Sequence, residues 1–145
     1  MKSIIIINGP NLNLLGNREK NIYGSKSLED IKKDCIDKGN EKKLNIVFFQ
    51  SNNEGEIIEK IQEVENNYEG LIINPAAFTH SSIAILDSLR SISKPKIEIH
   101  LSNIYSREEY RKKSITSEGV DGLICGFGSK SYILAIEAIA KLIYN

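Results

Sequence analysis

Five short apolar runs, separated by longer amphipathic stretches, are the feature of this sequence that most constrains its fold. Each run is rich in Ile, Val or Phe and bounded by polar or Gly residues, and the runs occupy residues 4–7, 46–49, 71–73, 97–99 and 123–125. A short continuous apolar run is typical of a strand covered on both faces of a parallel sheet. The sequence therefore predicts five buried parallel strands.

The stretches between most of the runs have the periodicity of amphipathic helices. Ser27, three residues before Asp30, resembles a capping box at the start of the first helix. The alternation of strand and helix predicts an α/β fold with a flavodoxin-like, doubly wound, five-stranded parallel sheet and helices on both faces. The apolar helix positions are Leu28, Ile31 and Cys35, then Ile57, Ile58, Ile61 and Val64, then Ile83, Leu86 and Leu89, and finally Ile133, Ile136, Ala140 and Ile143.

Two stretches depart from this simple pattern. Residues 101–118 break the alternation, because only residues 106–113 could form a short helix before the last strand, and we expect a functional loop there. The last helix is apolar on more than one side, which favours packing against a neighbouring subunit. We therefore expect an oligomer.

Length and charge restrict the kind of partner. The chain has 145 residues, 41% of them hydrophobic, which is enough for one compact domain, and we expect a single catalytic domain over residues 1–145. Its 19 Lys and Arg residues balance 19 Asp and Glu residues, which argues against a nucleic-acid or membrane partner. The opening run of four isoleucines is too short for a secretory signal or a membrane span. We expect a cytoplasmic protein with a small-molecule partner.

Polar side chains follow the strand runs, at the edge where a sheet of this kind binds its ligands. Asn and His side chains both donate and accept hydrogen bonds, so this edge suits a polyhydroxylated ligand. Arginines at positions 18, 107 and 111 add positive charge for a carboxylate or an enolate. The polar residues are Asn8, Asn11, Asn13, Arg18 and Tyr23, then Gln50 and Asn52, then Asn74 and His80, and then His100, Ser102 and Asn103.

The fourth strand run contains a carboxylate and an imidazole two residues apart. Glu98 and His100 therefore point to the same face of the strand. The carboxylate can then orient the imidazole and fix its tautomer, as a catalytic histidine requires. A purely structural ion pair is the alternative interpretation.

Other candidates also have a structural interpretation. The Asn-Gly-Pro-Asn segment at residues 8–11 could be only a turn that leaves the strand. His80 could be structural, capping the next helix through its neighbour Thr79. Tyr23, which precedes Gly24 in a predicted loop, could be a packing residue with its hydroxyl in water. The residues alone leave both interpretations open in each case.

Five segments together resemble type II 3-dehydroquinate dehydratase, in the same order and over nearly the whole chain. Three positions depart from the pattern of that family: Lys20 stands where Pro commonly follows Arg-Glu, Leu86 where Arg is common, and Ser131 where Gly is frequent. None of these removes a catalytic group, although we expect Leu86 to alter a subunit contact. The segments are INGPNLNLLGNRE (7–19), IYG (22–24), QSNNEGEIIEKI (50–61), GLIINPAAFTHSSIAILDSL (70–89) and EIHLSNIYSREEYR (98–111).

The resemblance implies an activity and an assembly. It implies a lyase that removes water from 3-dehydroquinate by anti elimination through an enolate, giving 3-dehydroshikimate in the shikimate route to chorismate and aromatic amino acids. It implies no cofactor, no metal, and a dodecamer built as a tetramer of trimers. Whether the cell uses the enzyme for synthesis or for quinate breakdown is left open.

The resemblance also implies roles for individual residues. Tyr23 is the base, Arg18 holds it as tyrosinate, and residues 17–24 are expected to close as a lid over substrate. The loop at Asn11 holds a water that stabilises the enolate, and His100, oriented by Glu98, protonates the departing hydroxyl. The implied substrate contacts are Asn74, His80, Arg111, Leu101 and Ser102, with Asp87 reaching the site of an adjacent subunit.

Two other classes of protein share this predicted fold. A flavin-binding electron carrier would need a Ser/Thr/Gly-rich phosphate loop, whereas the first loop holds Pro10 and Leu12 and the chain has no Trp to stack on a flavin. A response-regulator-like domain would need acidic residues at the strand ends to bind magnesium, and Asn8 stands there. The sequence favours the dehydratase, with the flavin carrier as its alternative.

Overall fold

The computed structural model describes residues 1–17 and 19–144 and, for Lys20, the backbone alone. Within this part of the chain, five strands form one parallel sheet in the order β2-β1-β3-β4-β5. This is the predicted flavodoxin-like topology, and it is confirmed. The strands are Lys2–Asn8 (β1), Leu44–Gln50 (β2), Gly70–Asn74 (β3), Lys96–His100 (β4) and Gly122–Cys125 (β5).

The prediction that all five strands are buried is only partly right. The apolar residues of β1, β3 and β4 are buried, whereas most of β2 and all of β5 are half-buried. The reason is the strand order, because β2 and β5 are the two edges and each has a neighbour on one side alone. The site is therefore built mainly on the buried central strands.

Helices cover both faces of the sheet, as the sequence predicts. Ile4 and Ile6 of β1 belong to one apolar core, and Ile5 and Ile7 belong to the other. This follows from the alternation of side chains along a strand. The helices are Lys20–Tyr23 (α1), Leu28–Glu41 (α2), Glu54–Gln62 (α3), Val64–Asn67 (α4), Ile83–Arg90 (α5), Glu109–Lys112 (α6) and Lys130–Tyr144 (α7). None in the described ranges is long and apolar enough to cross a membrane.

Local signals fix where these helices begin. The capping box of Ser27 and Asp30 is present at α2, with both reciprocal hydrogen bonds formed. At α5 the cap is Ser82, which accepts from the amide of Ile85. Ile83 at the start of α5 is 62% exposed, so its assignment to the buried stripe was wrong. Residues 85, 86 and 89 form that stripe instead.

The carboxyl ends of the strands lie side by side. Asn8 pairs in register with Gln50 and Asn74, and His100 pairs with Cys125. The predicted interruption after β4 is also present, as two 3-10 turns, Ile104–Ser106 and Thr116–Gly119, on either side of the short α6. The carboxyl ends of all five strands therefore meet at one edge of the sheet.

Candidate active site

A cavity of about 150 Å³ opens at this carboxyl edge. Its walls come from the loops after β1, β3 and β4, the three strands at the centre of the sheet. Most of the predicted site residues line it, as the fold class requires. These are Asn11, Tyr23, Asn74, His80, His100, Leu101, Ser102 and Arg111, joined by Glu19 and Arg107 among the charged residues.

The first loop is held against the third by a close backbone approach. The amide of Gly9 donates to the carbonyl of Asn74 at 2.8 Å, and a Cβ on Gly9 would lie 2.4 Å from the carbonyl oxygen of Pro75. Beyond it, Asn11 has a left-handed φ of 68° and its amide donates to Oδ1 of Asn52 at 2.9 Å. The segment is therefore a turn, as one interpretation had it, and the turn places Asn11 on the cavity, where its functional role stays a prediction.

A buried tyrosine from the last helix connects the first and third loops. The hydroxyl of Tyr132 donates to Oδ1 of Asn8 at 2.5 Å and accepts from Nδ2 of Asn74 at 3.1 Å. Oδ1 of Asn74 accepts from the amide of Ala76 at 3.2 Å. These bonds fix the orientation of the Asn74 amide, so its remaining N–H is the donor available to the cavity.

His100 lies on a buried carboxylate. Nε2 of His100 is 2.6 Å from Oε2 of Glu98, which is fully buried, while the imidazole itself is 5% exposed. Burial alone would raise the pKa of Glu98, but the hydrogen bond and charge of His100 and the hydroxyls of Thr116 and Thr79 together lower it. The carboxylate therefore accepts the Nε2 proton, and Nδ1 is the nitrogen that can reach a ligand.

The turn that carries His80 has a different role from helix capping. Nδ1 of His80 is 2.7 Å from the carbonyl of Lys113, so Nδ1 carries the proton because a carbonyl only accepts. Thr79 is fully buried, and its hydroxyl donates to Oε2 of Glu98 at 2.7 Å. The capping alternative for His80 through Thr79 was therefore wrong, because Ser82 is the cap.

Tyr23 ends the short helix α1 and is not in an open loop as predicted. Its ring packs against the core beside α2 and α7. Its hydroxyl accepts from Nη1 of Arg107 at 3.2 Å, and the guanidinium carbon of Arg107 lies 5.5 Å from the ring centre. The packing interpretation is therefore right for the ring, whereas the hydroxyl faces a cation. Arg18, predicted as that cation, lies outside the described residues.

The remaining predicted residues divide between the cavity and the surface. Nη1 of Arg107 also donates to Oγ of Ser102 at 3.2 Å, and Nε of Arg111 donates to Glu108 at 2.8 Å. Leu101 is buried, and its carbonyl accepts from Gly128. Asp87 is exposed on α5 and does not line this cavity.

Sequence reasoning missed two features of the site. It counted Arg107 only as a general source of charge and did not pair it with Tyr23, 84 residues away. It also missed the hydroxyls of Ser114 and Thr116, which donate to Glu98 along with Thr79. A buried carboxylate signals that donors must be present, but not which residues supply them.

The fold and the cavity define an α/β protein with a ligand site at the carboxyl edge, equipped for acid and base chemistry. The family model for class II dehydroquinases matches residues 2–140. The chain belongs to the class II dehydroquinase family and is an enzyme of the hydro-lyase class.

Known members of this family are similar to this chain over nearly their whole length. A 3-dehydroquinate dehydratase of Clostridium botulinum (strain Hall) is 58% identical over 139 residues, which cover 96% of this chain and 95% of that protein. The crystal structure of type II dehydroquinase from Propionibacterium acnes has a TM-score of 0.94 at 40% identity, covering 97% of both chains. That from Butyrivibrio crossotus has a TM-score of 0.93 at 47% identity, covering 95% of this chain and 97% of the other.

Proposed function

We propose that this chain dehydrates 3-dehydroquinate to 3-dehydroshikimate by an anti elimination through an enolate. The observation that carries the proposal is one cavity in which Tyr23 faces Arg107 and His100 faces Glu98. An elimination of water needs a base for the proton and an acid for the departing hydroxyl, and these two pairs supply both. The family and the names of its close relatives support the same substrate.

Tyr23 is the base in this proposal. It removes a proton from the carbon next to the ketone, which requires the phenolate form. A guanidinium at hydrogen-bond distance stabilises a phenolate while staying charged itself. Arg107 is in position to do so at 3.2 Å, and the family resemblance adds Arg18. Residues 17–24, which carry Tyr23, would close over bound substrate.

The electrons of the broken C–H bond form the enolate, which then expels the hydroxyl. A water held by the loop at Asn11 would stabilise the enolate oxygen. His100, oriented by Glu98, would donate a proton through Nδ1 so that the hydroxyl leaves as water. The proton taken by Tyr23 and the proton given by His100 balance the elimination.

The other polar groups of the cavity suit the hydroxyls and the carboxylate of the substrate. Arg111 is the proposed carboxylate partner, and Asn74, His80, Ser102 and the backbone of Leu101 are the proposed hydroxyl and carboxylate contacts. Asp87 would complete the site of an adjacent subunit in a dodecamer built as a tetramer of trimers. We also propose that the enzyme is cytoplasmic and that its reaction is a step of the shikimate route.

The test is direct turnover of the proposed substrate. Purified protein is mixed with 3-dehydroquinate, without added metal or cofactor, and the ultraviolet absorption of the conjugated enone product is followed. Growth of the signal that survives borohydride treatment supports the proposal and excludes a lysine Schiff base. An intact protein that gives no signal at substrate saturation refutes it. Bound flavin in that protein would favour the electron carrier.

A further inference from the structure

The buried carboxylate of Glu98 has four hydrogen-bond donors among the described residues. Besides Nε2 of His100, three hydroxyls reach it from outside its own strand, and Glu98 is fully buried. These four donors match the about four acceptor sites of an ionised carboxylate, and only one of them belongs to the imidazole. The hydroxyls are those of Thr79 at 2.7 Å and Ser114 at 3.0 Å from Oε2, and of Thr116 at 2.6 Å from Oε1.

The proton inventory of this cluster favours a single charge state. An ionised carboxylate only accepts hydrogen bonds, and here both of its oxygens face donors. The hydroxyls also contact one another, with Oγ1 of Thr79 lying 2.6 Å from Ser114 and 2.7 Å from Thr116. Each hydroxyl has only one proton to donate, so a proton on Glu98 would force one of these hydroxyls to turn away from the carboxylate and would face the Nε2–H of His100. The cluster therefore stabilises the carboxylate and disfavours the acid.

We propose that Thr79, Ser114 and Thr116 are positioning residues that keep Glu98 ionised and thereby set the pH range over which His100 carries its second proton. They act through Glu98 and do not touch substrate. Their catalytic effect rests on the proposed function, because it matters only if His100 is the acid. Their effect on the protonation of His100 does not rest on the proposed function, because it can be measured in the protein without substrate.

The loop that supplies two of these hydroxyls is fastened to the turn that holds both Thr79 and His80. The amide of Ile115 donates to the carbonyl of Thr79 at 2.7 Å, and His80 donates to the carbonyl of Lys113 at 2.7 Å. The amide of Ser117 donates to Oγ of Ser114 at 3.1 Å. The hydroxyls are thus held in place before any ligand binds, as a preorganised carboxylate requires.

Other charged groups also act on His100, so the test must isolate the hydroxyls. The described titratable or charged side chains that line the cavity with His100 are Glu19, Tyr23, His80, Arg107 and Arg111. The three hydroxyls lie on the opposite side of the imidazole, behind Glu98. A substitution there leaves the cavity groups unchanged and alters only the donors to the carboxylate.

The first measurement is the NMR titration of the substrate-free protein with labelled histidine. The chain has two histidines, and a His80→Gln variant assigns their signals. In Thr116→Val one donor is lost, so the less stabilised carboxylate holds the shared proton more tightly. We expect the His100 midpoint to rise by less than about one pH unit, because the lost hydrogen bond is present in both protonation states of His100 and only its change between them counts. Thr116→Ser, which keeps the hydroxyl, should restore the original midpoint.

Ser88→Ala is the matched control. Ser88 is also buried, but its hydroxyl donates to the carbonyl of Ala84 within α5, so its loss should leave the midpoint unchanged. Ser114→Ala serves as a second variant if Thr116→Val fails to fold, since Ser114 is less buried. An unmoved midpoint in the folded variants, or an equal shift in Ser88→Ala, would overturn the inference.

Turnover gives an independent readout of the same effect. The alkaline limb of kcat/KM for 3-dehydroquinate, which reports the free enzyme, should move upward in Thr116→Val by the same amount as the NMR midpoint. A merely structural loss would lower kcat/KM equally at every pH and leave the limb in place, which would contradict a role in setting the proton. If the protein does not turn over 3-dehydroquinate, the proposed function fails, while the titration still decides the inference.

Discussion

Arg107 donates a hydrogen bond from Nη1 to the hydroxyl of Tyr23 at 3.2 Å, and its guanidinium also lies against the tyrosine ring. The two residues both line the cavity and come from segments 84 residues apart. Because a guanidinium at hydrogen-bond distance stabilises a phenolate, this contact supports the proposed role of Tyr23 as the base. It also gives Arg107 a partner that the sequence left unassigned.

Arg107→Ala should raise the pH at which activity appears. The phenolate of Tyr23 is stabilised by the guanidinium, so without it a higher pH is needed to reach the same fraction of base. We expect kcat at pH 7 to fall by about 100-fold, the size of a charge-assisted hydrogen bond of roughly 3 kcal/mol. The measurement is kcat as a function of pH. Arg90→Ala, which removes a surface arginine paired loosely with Glu118 at 3.7 Å, is the control. An unshifted profile would assign the role to another cation, such as Arg18.

Tyr23→Phe should reduce kcat by at least about 100-fold, within the usual range for removing a general base. The ring packing is kept, so thermal unfolding should change little. Tyr68→Phe is a matched control, because Tyr68 packs against the core on the other face of the sheet. Steady-state kinetics with circular dichroism separate the two effects. Near-parental turnover in Tyr23→Phe would remove Tyr23 from its proposed role.

Glu98→Gln should change how stability depends on acid. The pKa of Glu98 is lower in the folded protein than its ordinary value of 4.5. The stability that its ionisation provides is therefore present above about pH 4.5 and is lost as pH falls through the lower folded pKa. The glutamine of Glu98→Gln has no charge to lose, so this pH dependence disappears. The substitution also costs about 1–3 kcal/mol of stability at pH 7, because its NH2 group faces hydrogen-bond donors and cannot accept from them.

Urea unfolding between pH 3 and pH 7 measures this prediction. The free energy of unfolding of the parent should fall more steeply below pH 4.5 than that of Glu98→Gln. Glu59→Gln, an exposed carboxylate on α3, should behave like the parent. Parallel curves for the parent and Glu98→Gln would contradict a stabilising ionised state.

Tyr132→Phe should weaken substrate binding from behind the cavity wall. Burial raises the pKa of Tyr132, so the phenol stays neutral and donates to Asn8 while it accepts from Asn74. Its loss leaves two buried amides short of a partner and costs about 1–3 kcal/mol of stability. KM should rise more than kcat falls, since Asn74 is a proposed binding contact. Tyr144→Phe is the control, because the Tyr144 hydroxyl donates to the carbonyl of Lys43 at the surface. Equal effects of the two variants on KM would argue against a role of Tyr132 in positioning Asn74.

Much of the fold follows from local sequence patterns. The apolar runs identify the five strands, and the capping box of Ser27 and Asp30 identifies the start of α2, because both depend on residues close together in the chain. Burial of individual residues did not follow as well. Ile83 fits the helical period and is exposed, and β2 and β5 are apolar and only half-buried, because burial depends on what covers a residue.

For the site, the sequence by itself determined which chemical groups stand at the strand ends, including the Glu98 and His100 pair on one strand face. Only the tertiary structure decided their partners: Arg107 for Tyr23, and Thr79, Ser114 and Thr116 for Glu98. The physical reason is that strand periodicity fixes the direction of neighbouring side chains, whereas a hydrogen bond between distant segments depends on how the loops pack over the sheet.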